Sequence, residues 1–278
     1  MRIVTTTSVF PCCYNAESAL ERLADIGFEG LDLAIDYCVQ KADYPFMTEK
    51  WQYWGKKLLE RSHELGISYT HSHAPGDAEA RDIPFLRGFE LCGLMKIPYI
   101  VVHPVFRHSN GSVIENADAF IEENVRKTLP LLEYAEENHV VILSENLLWG
   151  ASADPTNIGR LVQEVNSPWF GWCYDTGHAH CCGFDPEVLT KIPAIPLSLH
   201  IQDNCGNDDS HLIPGDGTID WDNMLQVLRS IGYRGDFVLE AHHQSLECED
   251  NRRYLILRRL YNQAKEMVAQ YANSYMEL

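Results

Sequence analysis

Short apolar runs alternate with amphipathic stretches along the whole chain. The apolar runs predict strands at 2–9, 29–35, 67–74, 99–105, 140–146, 170–176, 198–203 and 236–241. Most are continuous, the pattern of strands buried on both faces of a parallel sheet. Between them, helical spacing predicts helices over 15–26, 48–65, 79–96, 115–138, 154–166, 185–191, 221–231 and 247–272. In TEKWQYWGKKLLERSHELG (48–66), Trp51, Trp54, Leu58 and Leu65 recur on one face, with charged residues on the other. Gly27, Gly66 and Gly232 close helices just before strands, where a left-handed residue is favoured. Strict alternation of this kind predicts an α/β fold, a (β/α)8 TIM barrel, as a single domain over 1–278. An open doubly wound sheet is the alternative, but it gathers its site at one crevice. No low-complexity linker divides the chain.

Polar residues sit where the apolar runs end. ISYTHSHAP (67–75) carries His73, YIVVHPV (99–105) His103, VVILSENL (140–147) Glu145, and WCYDTGHAH (172–180) Asp175 and His178. SLHIQD (198–203) carries His200, and FVLEAHH (237–243) Glu240. Six such ends in succession predict one convergent site. Glu145, Asp175, His200 and Glu240 make a hard, oxygen-rich donor set suited to one divalent ion: Mn²⁺, Zn²⁺, Co²⁺ or Mg²⁺. In HIQDNCGNDDSHLIPGDGTIDW (200–221), Asp209 and His211 stand between a metal or substrate role and loop bracing. Asp203 reads as a loop anchor accepting backbone amides. His71, His180, His242 and His243 read as bystanders, since adjacent residues on a strand face opposite ways. Asn146 and Trp149 are open to substrate contact or to packing.

Charge and composition narrow the partners. The chain has 278 residues, 22 basic and 40 acidic, for a net charge of −18. That disfavours nucleic acid, which needs concentrated positive charge. No apolar stretch reaches the roughly 18 residues of a membrane span. No charged-then-apolar leader opens the sequence, and a cytoplasmic location is expected. The nine cysteines form no CxxC pair and read as small buried hydrophobes, with Cys181 and Cys182 near the expected site.

SEN (144–146), DTGHAH (175–180), LHIQD followed by DSHLIPGDGTIDW, and the terminal VLE (238–240) give the chain a family resemblance. It resembles the sugar isomerase/epimerase superfamily of xylose isomerase-like TIM barrels, which includes the endonuclease IV family. The resemblance covers essentially the whole chain. It implies one divalent ion held by Glu145, Asp175, His200 and Glu240, with Glu145 and Glu240 also moving protons. It further implies a metal-dependent isomerase or epimerase acting on a sugar, sugar phosphate or related polyol through an enediolate. An inosose-type dehydratase would share that chemistry.

All the endonuclease IV ligand positions have counterparts: His73, His103, Glu145, Asp175, His178, His200, Asp209, His211 and Glu240. They imply the alternative of a zinc-dependent phosphodiesterase of the apurinic-site type, with further zinc ions. On the isomerase reading, His73, His103, His178, Asp209 and His211 contact substrate. The ketose 3-epimerase pattern is incomplete: NLLWGAS lacks its second glutamate and IQDNCGN its arginine. Arg81, Arg87 and Arg107 are the basic residues near the strand ends, as phosphate holders or surface charge. A small-molecule carbohydrate partner is expected, and a homo-oligomer is compatible. A sugar-binding sensor without turnover is the remaining alternative.

Overall fold

The computed structural model describes residues 1–11, 15–246 and 248–273. Eight parallel strands run β1 (Ile3–Thr6), β2 (Gly30–Ala34), β3 (Ser68–Asp77), β4 (Tyr99–His103), β5 (Val141–Glu145), β6 (Phe170–Asp175), β7 (Ser198–His200) and β8 (Phe237–Leu239). Each pairs with its sequence neighbour from β1 to β7, and β8 pairs with β1. The ring closes between β7 and β8. There Ile201 N–H donates to the Val238 carbonyl at 2.8 Å, and Glu240 N–H to the Ile201 carbonyl at 2.9 Å. The expected α/β barrel is therefore present, with helices outside.

Local chemistry sets the helix limits. Asn15, Asp82, Asn116, Asp154 and Asp220 each cap a helix start with a side-chain oxygen. Gly27 and Gly66 end their helices at φ +116° and +69°, left-handed values that suit glycine. The helix expected over 115–138 is instead two, Ala117–Thr128 and Leu131–Glu137. Pro130 lies at the break and has no N–H to continue the ladder. The stretch expected at 185–191 is a 3-10 turn, Pro186–Lys191. The first strand stops at Thr6, whose hydroxyl accepts the Ser8 N–H at 3.2 Å and starts a 3-10 turn.

The strands look continuous in sequence but alternate in space. Outward residues such as Ile100, Ile142, Trp172, Tyr174 and Leu199 belong to the main core between barrel and helices. Val101, Leu143 and Cys173 form a separate apolar cluster with Tyr99 and Val141. These five form an apolar plug on the inner side of β4, β5 and β6. Two residues further along the same strands stand His103, Glu145 and Asp175. A period of two thus places the polar ends directly above the plug.

Candidate metal centre

All nine residues expected from the sequence meet at the C-terminal mouth, and their donor atoms fall into groups. One oxygen or nitrogen each from Glu145, Asp175, His200 and Glu240 lie within 4.8 Å of one another. His73, His103 and Glu145 form a second group, and His178, Asp209 and His211 a third, by the same measure. Glu145 belongs to two groups. His200 Nδ1 donates to Glu145 Oε1 at 2.8 Å and lies 3.3 Å from Glu240 Oε2. His73 Nε2 and His103 Nε2 face each other at 3.0 Å.

Local folding fixes these positions. Asp175 caps the short helix Thr176–Cys181, taking the His178 N–H at 2.6 Å. The D-x-x-H spacing therefore puts both side chains on one site. The Asn146 side-chain amide accepts from the Asp175 N–H at 2.8 Å and donates to the Asp175 carbonyl at 3.0 Å, so it positions the strand end. His178 Nδ1 donates to the Asn146 carbonyl at 2.9 Å and His211 Nδ1 to the Glu240 carbonyl at 2.8 Å. Both rings then turn Nε2 toward Asp209 Oδ2, at 3.3 and 3.0 Å. A histidine anchored through one nitrogen and presenting the other is the usual arrangement around a bound cation. His211 holds φ +44° to do so, a conformation that is uncommon outside glycine.

The donor set fits a divalent ion on its own terms. Glu145 Oε2 and Asp175 Oδ2 are buried without a hydrogen-bond donor. Such orphaned carboxylate oxygens are costly unless a cation satisfies them. Burial works against ionisation of Glu145, but His200 and His103 outweigh it and hold the carboxyl well below its usual value. Burial pushes Glu240 up to about 7 despite His200 and His211. Asp175 is also raised by burial. His200 is buried, yet Cys173, Glu240 and Glu145 lift it well above the ordinary imidazole. His211 rises to about 9 against its burial, through Asp209 and Glu240.

Other expectations resolve differently. Asp203 is the loop anchor: it accepts from the N–H groups of Asn204, Gly215 and Ile219 and from the Trp221 indole. His242, expected to be a bystander, lines the pocket, with its ring 4.2 Å from that of His211. His71 lies buried against Tyr99, and His180 bonds Thr218 instead. Cys181 and Cys182 are half-buried and do not line the pocket among the described residues; Cys12 and Cys13 lie outside those residues.

Two acids were not singled out from sequence. Asp32 is fully buried, with both oxygens unpartnered, and its donor atom lies within 4.8 Å of nitrogens of His73 and His200. Burial raises it to about 6. Asp36 lines the pocket and is pushed to about 7 by burial and by Asp32. The legible signal was an aspartate inside an apolar strand, in phase with Gly30 and Ala34. The pocket encloses about 750 Å³, its open mouth included.

Inosose dehydratase of Bacillus thuringiensis is 24% identical over 174 residues, 56% of this chain and 55% of that protein. The chain spans about half the length of the curated relatives it matches, 58%, 50% and 55% for three of them. The crystal structure of a D-tagatose 3-epimerase-like protein superposes with TM-score 0.77 at 20% identity, covering 99% of this chain and 100% of that one. The IOLI protein, solved with a binding zinc atom, gives TM-score 0.75 at 19% identity and 99% coverage of both chains. At these identities the likeness is one of fold. No described helix is long and apolar enough to cross a membrane. The model of the xylose isomerase-like TIM barrel family matches residues 20–263, and the chain belongs to that family.

Proposed function

We propose that the protein is a divalent-metal-dependent isomerase or epimerase of a sugar or related polyol. The convergence of Glu145, Asp175, His200 and Glu240, with two buried carboxylate oxygens lacking donors, carries this reading. An ion held by these four would act as a Lewis acid toward a substrate carbonyl. Glu145 and Glu240 line the same pocket. One takes the proton from the carbon beside the carbonyl; the C–H electron pair becomes the enediolate double bond. The other delivers a proton to carbon, and the carbonyl re-forms. His103, His178 and His211 supply directional donors to hydroxyls around that centre. A dehydratase acting on a cyclitol ketone would begin with the same proton removal, and the likeness to inosose dehydratase supports including it. Elemental analysis of protein purified without chelator, with solvent-deuterium uptake into ketoses and inososes, tests the reading. Metal and uptake are expected, and Glu240→Gln should abolish the uptake.

The two further donor groups favour a second reading, metal-clustered phosphodiester hydrolysis. Clustered ions activate water and stabilise a leaving oxygen. The net charge of −18 opposes binding of a DNA duplex. Cleavage of abasic-site duplex with no label entering any sugar would reverse the order.

A further inference from the structure

Trp149 stands at the pocket mouth, 44% exposed, in the same cavity as His103, Glu145 and Glu240. Its indole stacks on Phe106, with centroids 4.8 Å apart and planes 20° from parallel. The Arg107 guanidinium lies 5.1 Å from the Phe106 ring centroid. The stack joins the loop after β4 to the loop after β5, and both backbones are tied. Ile114 N–H donates to the Phe106 carbonyl at 2.9 Å, and Ala151 N–H to the Ile114 carbonyl at 2.8 Å. Leu147 N–H reaches the Ser152 carbonyl at 3.0 Å, and the Ser152 hydroxyl the Trp149 carbonyl at 2.6 Å. Gly150, at φ +53°, has no room for a side chain: a Cβ would lie 2.5 Å from the Ile114 oxygen and 2.4 Å from Val113 Cγ1. The indole is therefore fixed before any ligand arrives, which lowers the ordering cost of binding.

The rest of the lining defines what the indole faces. Leu147 and Leu148 extend the apolar side, while Asp36, Asp209, Glu145 and Glu240 supply carboxylates. No lysine or arginine lines the cavity among the described residues. The nearby arginines are already engaged. Arg81 donates to the Ala78 and Lys127 carbonyls, Arg87 to that of Phe46, and Arg107 to that of Gly111. A terminal phosphate, remote from the reacting carbons, would meet four carboxylates and no lysine or arginine, and the two cationic imidazoles of the lining, His178 and His211, already face Asp209.

We infer that Trp149 is a specificity-determining residue that takes the C–H face of a ring-closed, uncharged polyol. An aromatic face offers a broad apolar contact to axial C–H groups, while the equatorial hydroxyls reach the histidine and carboxylate wall opposite. This rests on the proposed reaction for the identity of the substrate, but the binding can be read without turnover. The probes are myo-inositol, a ring that cannot open, myo-inositol 1-phosphate, and the acyclic D-glucitol, titrated calorimetrically into the zinc-loaded protein. The ring should bind at least tenfold tighter than either comparator. Trp149→Ala should weaken the ring about tenfold and leave D-glucitol unchanged; Trp149→Phe should stay within about threefold of the wild type. Equal or tighter binding of the phosphate or of D-glucitol overturns the inference, as does an unchanged Trp149→Ala or no ring binding at 100 mM. Metal content and deuterium uptake are read separately. Their failure with ring binding intact would remove the reaction and keep the platform.

Discussion

Loading the four-residue centre with metal should release a number of protons that depends on pH. His200 is held protonated well above its ordinary range, and Nδ1 must lose that proton to ligate. Glu145 is held ionised and contributes none. Glu240, near 7, is the variable. It is about nine-tenths protonated at pH 6 and only about 3% protonated at pH 8.5. Each ion bound should therefore displace about two protons at pH 6 and about one at pH 8.5. Affinity rises with pH in both ranges, about a hundredfold per unit well below 7 and about tenfold per unit above it. Asp175, raised by burial, can only add to the acid side. The assay is calorimetric titration of one equivalent of Zn²⁺ in two buffers of different ionisation enthalpy, in an Asp209→Asn background that disables the third donor group. Glu240→Gln should release about one proton fewer than the unsubstituted centre at pH 6 and the same number at pH 8.5. Equal counts at the two pH values in the unsubstituted centre, or a count at pH 6 left unchanged by Glu240→Gln, would refute the assignment of Glu240 as the titrating ligand.

Other outcomes follow from buried groups. Asp203→Ala leaves three backbone N–H groups and the Trp221 indole without their acceptor; urea unfolding should show a loss of roughly 3–5 kcal/mol. Gly150→Ala forces a left-handed backbone and a clash with Ile114, and should cost about 2 kcal/mol or more, lowering Tm by several degrees. His71 is depressed to about 3 by burial, against 6.5 in the unfolded chain. The unfolded chain thus takes up the proton first, and stability falls as pH drops below about 6.5. Between pH 7.5 and 4.5 this one residue should account for about 2–3 kcal/mol, measured as the difference from His71→Gln. Phe120→Ala, emptying a fully buried site, should cost about 3–5 kcal/mol in the same unfolding assay.

Much of the fold was legible because one rule generated it. Six apolar runs ended in a histidine or a carboxylate, and several helices opened on Asn or Asp or closed on a left-handed residue. Parallel pairing then left a barrel as the simplest closure. The donors at strand ends were visible for the same reason. Pro130 was visible too, but its effect was hidden inside a good helical period. Asp32 escaped notice because it lies in mid-strand, where sequence does not distinguish the barrel's inner face from its outer one when both are apolar. His242 escaped because the local turn after Glu240, not strand alternation, decides where it points: its N–H and Nδ1 both return to the Glu240 carbonyl. The division of nine candidate donor residues into three groups depends on distances between loops far apart in sequence, which spacing alone does not contain.

The apolar plug of Tyr99, Val101, Val141, Leu143 and Cys173 makes the barrel a vessel with one door. Beneath the donors of β4, β5 and β6 these side chains leave water an apolar and therefore unfavourable path from below. A proton lifted from substrate therefore has two fates: it returns to the same molecule, or it leaves through the mouth. When a ring lies across that mouth against Trp149, the second route narrows. Turnover should then outrun the entry of solvent label, and the shortfall measures how well the bound molecule corks its own reaction chamber.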